Sequence, residues 1–161
     1  AGVDHIRKHQ PPAGIPITRI VDPDLTGRMV EYVVLHCLYH LRRMNEAAAN
    51  QVRKAWTAPA FPPARSVSVG LMGVGEMGQA SARGLQALGF NVIGWGRSAR
   101  THLPFASYHG DGGLDAFLGA TDILVSTLPS TPATRGLINA GVLKKLRRDG
   151  PFGPPVLINA G

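Results

Sequence analysis

Apolar residues near the start of the chain recur at the spacing of an α-helix. In residues 25–44 they lie three or four positions apart, which places them on one broad helix face. The stripe consists of Met29, Val30, Val33, Val34, Cys37, Leu38, Leu41 and Met44. Asp22 and Pro23, which precede it, are typical of an N-cap and of a first helical position. The residues before them, Gly14–Ile20, suit a short strand. We therefore predict this strand, followed by one long helix.

From Arg65 onward the apolar residues form short runs that alternate with helical patterns. The predicted strands are 66–73, 90–95, 121–128 and 154–160, and the predicted helices are 76–89, 112–119 and 139–148. Parallel strands joined by helices need right-handed crossovers, and the helices then cover both faces of the sheet. We therefore predict an α/β fold with a doubly wound parallel sheet, in which Gly89 closes the first of these helices as its C-cap.

A segment rich in proline and alanine, TAPAFPPARS at residues 57–66, separates the two patterns and is typical of a linker. We expect part of one domain over residues 1–63 and a second domain over residues 64–161. The chain begins without Met and stops after an apolar strand, whose carboxyl end would normally lead into a loop and another helix. We therefore expect a segment of a longer protein, with the second domain truncated at its C-terminal end.

The sequence GVGEMG, residues 73–78, matches the pattern G-x-G-x-x-G between a predicted strand and a predicted helix. Gly73 would make the tight turn, Gly75 would let the backbone approach a pyrophosphate, and Gly78 would let the helix pack on the strand. The phosphates would bind the amides at the start of the helix, near Glu76. This context favours a Rossmann-type dinucleotide fold over a turn that is merely tight.

The end of the second strand carries no acidic residue. Rossmann folds that bind NAD usually place an Asp or Glu about 20 residues past the glycines, where it binds the ribose hydroxyls. Gly96, Arg97 and Ser98 stand at this distance. A guanidinium and a hydroxyl would bind a ribose 2′-phosphate, which a carboxylate would repel. We therefore expect NADP(H) to be preferred over NAD(H); the alternative is that Arg97 is a solvated loop residue.

Charge and composition exclude several classes of protein. The chain has 17 Lys and Arg against 10 Asp and Glu, a formal net charge of +7. Its basic residues are scattered apart from KKLRR at 144–148, the pattern of a solvated helix end, so nucleic acid is a minor hypothesis. No apolar run approaches the roughly 18 residues of a membrane helix. The single cysteine, Cys37, excludes an intramolecular disulfide. We expect a soluble, cytoplasmic protein.

The sequence HCLYH places His36 and His40 one helical turn apart, a spacing that can hold a metal ion on one helix face. No third ligand accompanies them at a fixed spacing, and Cys37 belongs to the apolar stripe. Packing, or a dimer surface, is therefore favoured over a metal site.

Several further motifs stand in a fixed order along nearly the whole chain. They are AGVD at 1–4, MVEYV at 29–33, Trp56, GVGEMG at 73–78, LGFNVIGWGRS at 88–98, LPSTPATRGLIN at 128–139 and LINAG at 157–161. In this order they resemble the D-2-hydroxyacid dehydrogenase family, most closely its glyoxylate/hydroxypyruvate reductase branch. The resemblance implies that the first part of the chain belongs to a substrate and dimerisation domain.

The resemblance also implies roles for single residues. The residues implied in binding are Ala1, Gly2 and Val3, whose amides would hold the substrate carboxylate, and Glu76, Met77, Leu128, Pro129 and Thr134, which would lie against the cofactor. Met29 would approach the nicotinamide. The long helix 25–44 would build much of a two-fold homodimer.

No catalytic residue of the family lies in the chain as given. In the family an Arg follows directly after the N-x-G that ends here at Gly161, and the Glu and His of an acid/base pair come further on. The implied reaction is NADPH-dependent hydride transfer to the carbonyl carbon of a small 2-oxoacid, glyoxylate or hydroxypyruvate. We expect the longer protein to catalyse it and the fragment alone to be inactive.

Two other functions stay open. The β-hydroxyacid dehydrogenases also resemble GLMGVGEMG and also use an Arg after the second strand, but they begin with the nucleotide fold, whereas about 65 residues precede it here. A Rossmann unit also does not by itself imply catalysis, so a nucleotide-sensing interaction module is the alternative from another class. Downstream Arg, Glu and His residues would favour the enzyme over the sensor.

Overall fold

The structure is a computed structural model that describes residues 9, 14–16, 18, 20–57 and 59–161. Its helices are α1 (Pro23–Leu41), α2 (Met44–Val52), α3 (Glu76–Ala87), α4 (Gly110–Gly119) and α5 (Ala140–Lys144). Its strands are β1 (Ser68–Met72), β2 (Asn91–Gly96), β3 (Ala106–His109), β4 (Ile123–Ser126) and β5 (Val156–Asn159). Within the described ranges, no helix is both long enough and apolar enough to cross a membrane.

The five strands form one parallel sheet in the order β3-β2-β1-β4-β5. The chain runs outward from β1 to β3, then returns to β4 on the other side of β1, which is the doubly wound order. The Rossmann-type fold predicted from the alternating pattern is therefore confirmed. The reversal of direction opens a crevice at the carboxyl ends of β1 and β4, where such sheets bind ligands.

Alternate residues of the central strands enter two separate cores, one on each face of the sheet. Leu71 of β1 and Val125 of β4 belong to the first core, whereas Met72 and Leu124 belong to the second. Burial on both faces explains why these strands are continuously apolar rather than alternating with polar residues.

Helix α1 covers the first core together with α3. Val33, Cys37 and Leu41 of α1 are buried in the same cluster as β1 and β4. The two helices approach closely at Gly84 of α3, where an added Cβ would lie 3.0 Å from Val30 Cγ1. The helix start is as predicted, since Asp22 is the N-cap, its carboxylate accepts the Asp24 amide, and Pro23 is the first helical residue.

Two predictions about the first part of the chain are wrong. The long helix does not continue to residue 44, because Arg43 adopts a left-handed conformation with φ 48° and α2 starts a new axis at Met44. No glycine or proline marks this break in the sequence. The described residues of Gly14–Ile20 form a turn and irregular backbone rather than the predicted strand, and residues 17 and 19 lie outside the described ranges.

The second part differs from its prediction at one strand and one helix. Strand β3 was not predicted, since most of its residues are exposed and it pairs with β2 alone at the edge of the sheet. Helix α5 is five residues long and ends at Lys144, well before residue 148. The backbone amide of Arg147 instead donates to the Thr121 carbonyl, which draws this segment back to the sheet.

A buried carboxylate joins three segments at the amino-terminal edge of the sheet. Asp122 is fully buried, and its side chain accepts hydrogen bonds from the Ser68 amide at 2.8 Å and from the Arg147 guanidinium at 2.8 and 2.7 Å. The Asp122 amide in turn donates to the Ser68 carbonyl. This network fixes the start of β4 against the start of β1 and holds the segment that follows α5.

We expect Arg147→Met to lower the free energy of unfolding by about 3 kcal/mol, because it leaves the Asp122 carboxylate buried without its cation. The matched control is Lys145→Met, which removes the Lys145–Asp115 pair at 2.6 Å, where both side chains are at least half exposed. An exposed pair of this kind contributes less than about 1 kcal/mol. Urea unfolding measures both values, and equal losses in the two variants would contradict the role given to Asp122.

Candidate nucleotide-binding site

The turn between β1 and α3 is built on close backbone contact. Gly73 has a φ of +110°, a left-handed conformation that favours glycine. A Cβ on Gly78 would overlap the Gly73 carbonyl oxygen, so the first turn of α3 lies directly against the turn. The Thr127 hydroxyl, at the end of β4, donates to the same carbonyl at 2.8 Å. These contacts fix where the helix begins relative to both central strands.

The start of α3 presents backbone amides to the crevice. The first hydrogen bond of the helix runs from the Gln79 amide to the Gly75 carbonyl, so the amides of Glu76, Met77 and Gly78 precede the helical ladder. The N-cap is Gly75, which brings no side chain to them. Apart from its own neighbours along the chain, no described residue has an atom within 4 Å of a Cβ placed on Gly75. An anion therefore has both donors and space here.

Glu76 adds an opposing charge at this position. Its carboxylate is exposed and lies in the first turn of α3, where it interacts favourably with the helix dipole. An anionic ligand would bind at the same positive end. The donors at the turn are therefore its amides, and side-chain cations must come from other segments.

A cleft of about 780 Å³ lies over the carboxyl ends of β1 and β4. Its wall comes from the end of β2, the loop after β4, the end of β5 and the start of α1. The lining residues are Ile20, Val21, Asp22, Leu25, Thr26, Met29, Gly73, Val74, Gly75, Glu76, Met77, Gly78, Gly96, Arg100, Thr127, Leu128, Pro129, Ser130, Ala160 and Gly161. From α1 and the segment before it the cleft receives apolar side chains, together with the polar residues Asp22 and Thr26.

The structure brings most of the residues singled out from the sequence into this one cleft. Those that line it are Gly73, Gly75, Glu76, Met77, Gly78, Leu128 and Pro129, together with Met29. Three of the predicted residues are not among the described residues that line the cleft: Arg97, Ser98 and Thr134. Ala1, Gly2 and Val3, at which a substrate carboxylate was predicted, fall outside the residues that the structure describes.

Arg100 is the basic side chain that sequence reasoning missed. It lines the cleft beside Gly96, although it lies four positions beyond the end of β2. In Rossmann folds the residue that binds the ribose usually lies about 20 residues past the glycines, at the end of the second strand. Arg97 lies directly after that strand end. The sequence GRSAR nevertheless contains two arginines, Arg97 and Arg100, three positions apart. A loop that turns at the end of its strand can bring either side chain to the crevice, so the sequence offered both as candidates.

The histidines and the cysteine of α1 lie away from this cleft. Cys37 is fully buried in the first core, and burial raises the pKa of its thiol to about 12. Partial burial and the neighbouring His36 lower the pKa of His40. Across the described ranges, no three His, Cys, Asp or Glu side chains come together as a metal site would require. The predicted packing of Cys37 against the apolar stripe is confirmed.

Comparison with known proteins shows which family this chain resembles. A sequence model described as the NAD-binding domain of D-isomer specific 2-hydroxyacid dehydrogenases matches residues 34–161. The glyoxylate/hydroxypyruvate reductase A of Photorhabdus laumondii is 33% identical over 153 residues, which are 91% of this chain and 49% of that protein. The chain therefore spans about half the length of the curated relatives it matches.

Solved structures agree with the sequence comparison. A probable 2-hydroxyacid dehydrogenase from Rhizobium etli, in complex with NADP, HEPES and L(+)-tartaric acid, is 48% identical with a TM-score of 0.94 and covers 100% of this chain and 50% of its own. An NADPH-dependent glyoxylate/hydroxypyruvate reductase from Sinorhizobium meliloti, in complex with NADP and sulfate, is 49% identical with the same TM-score. It covers 100% of this chain and 51% of its own.

The two glycines at the start of α3 respond differently to an added methyl group. We expect Gly78→Ala to lower the free energy of unfolding by about 1–3 kcal/mol, because its Cβ overlaps a backbone carbonyl that cannot move aside. Gly75→Ala is the matched control, since its φ of −74° suits alanine and the loss of a good N-cap residue costs less than about 1 kcal/mol. Urea unfolding of both variants is the measurement. An equal loss at the two positions would contradict the close contact between Gly78 and Gly73.

Proposed function

The chain belongs to the D-isomer specific 2-hydroxyacid dehydrogenase family, and we propose that the protein of which it is part reduces a small 2-oxoacid, glyoxylate or hydroxypyruvate, with NADPH. The observation that carries this proposal is the cleft itself, in which the open amides of α3 and the Arg100 side chain line one cavity. The names of its relatives support the choice of substrate and cofactor.

The residues of the cleft fit the phosphates of a dinucleotide. The amides of Glu76, Met77 and Gly78 are the donors for the pyrophosphate, and Gly75 leaves the space in which it lies. Gly78 keeps these donors fixed against β1, so they need no rearrangement when the anion arrives. A preformed site of this kind costs less ordering on binding than a flexible loop does.

The end of β2 supplies the preference for a 2′-phosphate. Gly96 stands where NAD-binding folds usually carry an acidic residue, and no carboxylate there repels the additional charge. Arg97 and Ser98 follow directly, and Arg100 lines the cleft. We assign the phosphate to Arg97, Ser98 and Arg100, because two guanidinium groups and a hydroxyl offer charge-assisted donors.

The start of α1 supplies the apolar side of the cleft. Leu25 and Met29 line it together with Ile20 and Val21, which precede the helix. When bound, NADPH supplies the hydride that reaches the carbonyl carbon of the substrate. The apolar side chains hold the nicotinamide end and exclude water from it. Residues 1–3 lie outside the described ranges, and the proposal that their amides hold the substrate carboxylate is supported by the AGVD motif alone.

The division of the chain into two domains and the cellular location of the protein are also proposals. We place the substrate and dimerisation segment in residues 1–63 and the nucleotide-binding domain in residues 64–161, on the composition of the segment between them. A cytoplasmic location is supported by the single cysteine, Cys37, which is buried and forms no disulfide.

We expect Arg100→Ala and Arg97→Ala each to weaken NADPH binding about ten- to hundredfold in the intact protein, because each removes charge-assisted hydrogen bonds to the 2′-phosphate. NADH, which lacks this phosphate, should bind each variant as it binds the wild-type protein. Titration followed by nicotinamide fluorescence measures both dissociation constants.

The matched control for these variants is Arg65→Ala. Arg65 is exposed and precedes β1, so it lies at the opposite edge of the sheet from the cleft. Its loss should leave both cofactors unaffected. Equal binding of NADPH and NADH by the wild-type protein would contradict the phosphate site, and binding of NADPH without turnover of any 2-oxoacid would favour the nucleotide-sensing module instead of the enzyme.

We also propose a homodimer formed through α1. Opposite its buried stripe the helix carries a second apolar stripe of exposed side chains, in which Tyr32, Leu35 and Tyr39 are 41%, 60% and 38% exposed. Their spacing of three and four residues places them on one face. A helix with two apolar faces buries one in its own domain and the other in a partner.

Leu35→Glu tests this surface, because it places a charge at the centre of the exposed stripe. We expect it to convert the dimer into a monomer in sedimentation velocity, with the free energy of unfolding of the monomer unchanged. Leu88→Glu, at an exposed position just after α3, is the control and should remain dimeric. A dimer that tolerates Leu35→Glu would show that another surface holds it.

A further inference from the structure

The loop that follows β4 forms one wall of the cleft. Leu128, Pro129 and Ser130 line the cavity, and Pro129 and Ser130 are exposed to solvent. A wall made of exposed loop residues needs contacts that hold it in place. At its near end, the Thr127 hydroxyl donates to the Gly73 carbonyl and ties the loop to the glycine turn.

Thr134 holds the far end of the same loop. Its hydroxyl oxygen accepts the Thr131 amide at 2.9 Å and lies within hydrogen-bond distance of the Pro129 carbonyl. A threonine hydroxyl accepts and donates at once, so one side chain joins these two backbone groups across the loop. The backbone amides of Thr134 and Arg135 both donate to the Thr131 carbonyl and close the same turn.

The position of Thr134 separates it from the residues that line the cleft. Ser130 is the last described residue of this loop that lines the cleft, and Thr134 is half-buried. Its hydroxyl proton is directed to acceptors within the loop, either the Pro129 carbonyl or Thr131. The side chain is thus engaged with the loop backbone rather than turned toward the cavity.

We propose that Thr134 is a positioning residue, which fixes Pro129 and Ser130 as a preformed wall for the dinucleotide. This role rests on the proposed function of the cleft. Both partners of each of these hydrogen bonds belong to the loop, so the bonds need no group from the cofactor. The ordering cost of the loop therefore falls on folding and does not weaken binding. Removal of the hydroxyl should loosen the wall in the free protein and weaken the cofactor complex as a consequence.

The test compares Thr134→Val with Thr134→Ser in the intact protein. Valine keeps the shape and loses the hydroxyl, whereas serine keeps the hydroxyl. We expect Thr134→Val to raise the dissociation constant of NADPH about two- to tenfold, the effect of one or two lost hydrogen bonds. It should also speed hydrogen exchange at the Thr131 amide in the cofactor-free protein. Thr134→Ser should restore both values to those of the wild type.

Thr57→Val is the matched control, since the Thr57 hydroxyl also accepts a hydrogen bond, from Asn50 at 2.6 Å, but lies outside the cleft. It should change neither readout. Unchanged NADPH binding in Thr134→Val would overturn the proposal, as would weaker binding without faster exchange, which would make Thr134 a direct cofactor contact. Failure of the wild-type protein to bind NADPH would overturn the proposed function and this role with it, and the wild-type titration alone distinguishes that case.

Discussion

The contact between Gly78 and the Gly73 carbonyl is the constraint on which the site depends. It brings the first turn of α3 against β1 without an intervening side chain, and Thr127 binds the same carbonyl from β4. One carbonyl oxygen is therefore shared by the three segments that meet at the crevice. This contact holds the first amides of α3 at the crevice, where an anion would meet the positive end of the helix dipole.

The opposite edge of the sheet is fixed by a different kind of interaction. There Asp122 joins β1, β4 and the segment after α5 through a charged network that is buried on the carboxylate side. Burial makes such a network costly when one member is lost, whereas the glycine contact depends only on space. The sheet thus has a charged, buried anchor at one edge and a close backbone contact at the other, where the loops that line the cleft begin.

Patterns that depend on local geometry could be predicted from the sequence. Asp22 and Pro23 mark the start of α1, and the glycine motif marks the turn before α3, because each fills a position that few residue types accept. Strand β3 gave no such signal: it is short, largely exposed and stabilised by its pairing with β2. The break before α2 depends on the left-handed backbone of Arg43, which no residue type in that stretch announces.

Long-range packing joins the two parts of the chain. The linker composition predicts a division near residue 63, and α1, which precedes it, packs in the same core as β1 and β4. The reason lies at Gly84, whose missing side chain admits Val30 and Val34 of α1. The sequence of neither helix predicts this contact between α1 and α3, since the apolar stripe on α1 indicates only that one face of the helix is buried. The partner of that face is set by the tertiary fold.

The cleft is lined by charged, polar and apolar groups that come from different segments of the chain. Arg100 follows β2 and Glu76, Met77 and Gly78 begin α3, whereas Leu25 and Met29 bring apolar side chains from α1. The residues after β5 also belong to the wall, since a Cβ on Gly161 would lie 2.5 Å from the Leu128 carbonyl oxygen in the loop that follows β4. Because the charged and the apolar groups come from separate segments, a substitution at Arg100 changes the charge of the lining and leaves the apolar side chains of α1 in place.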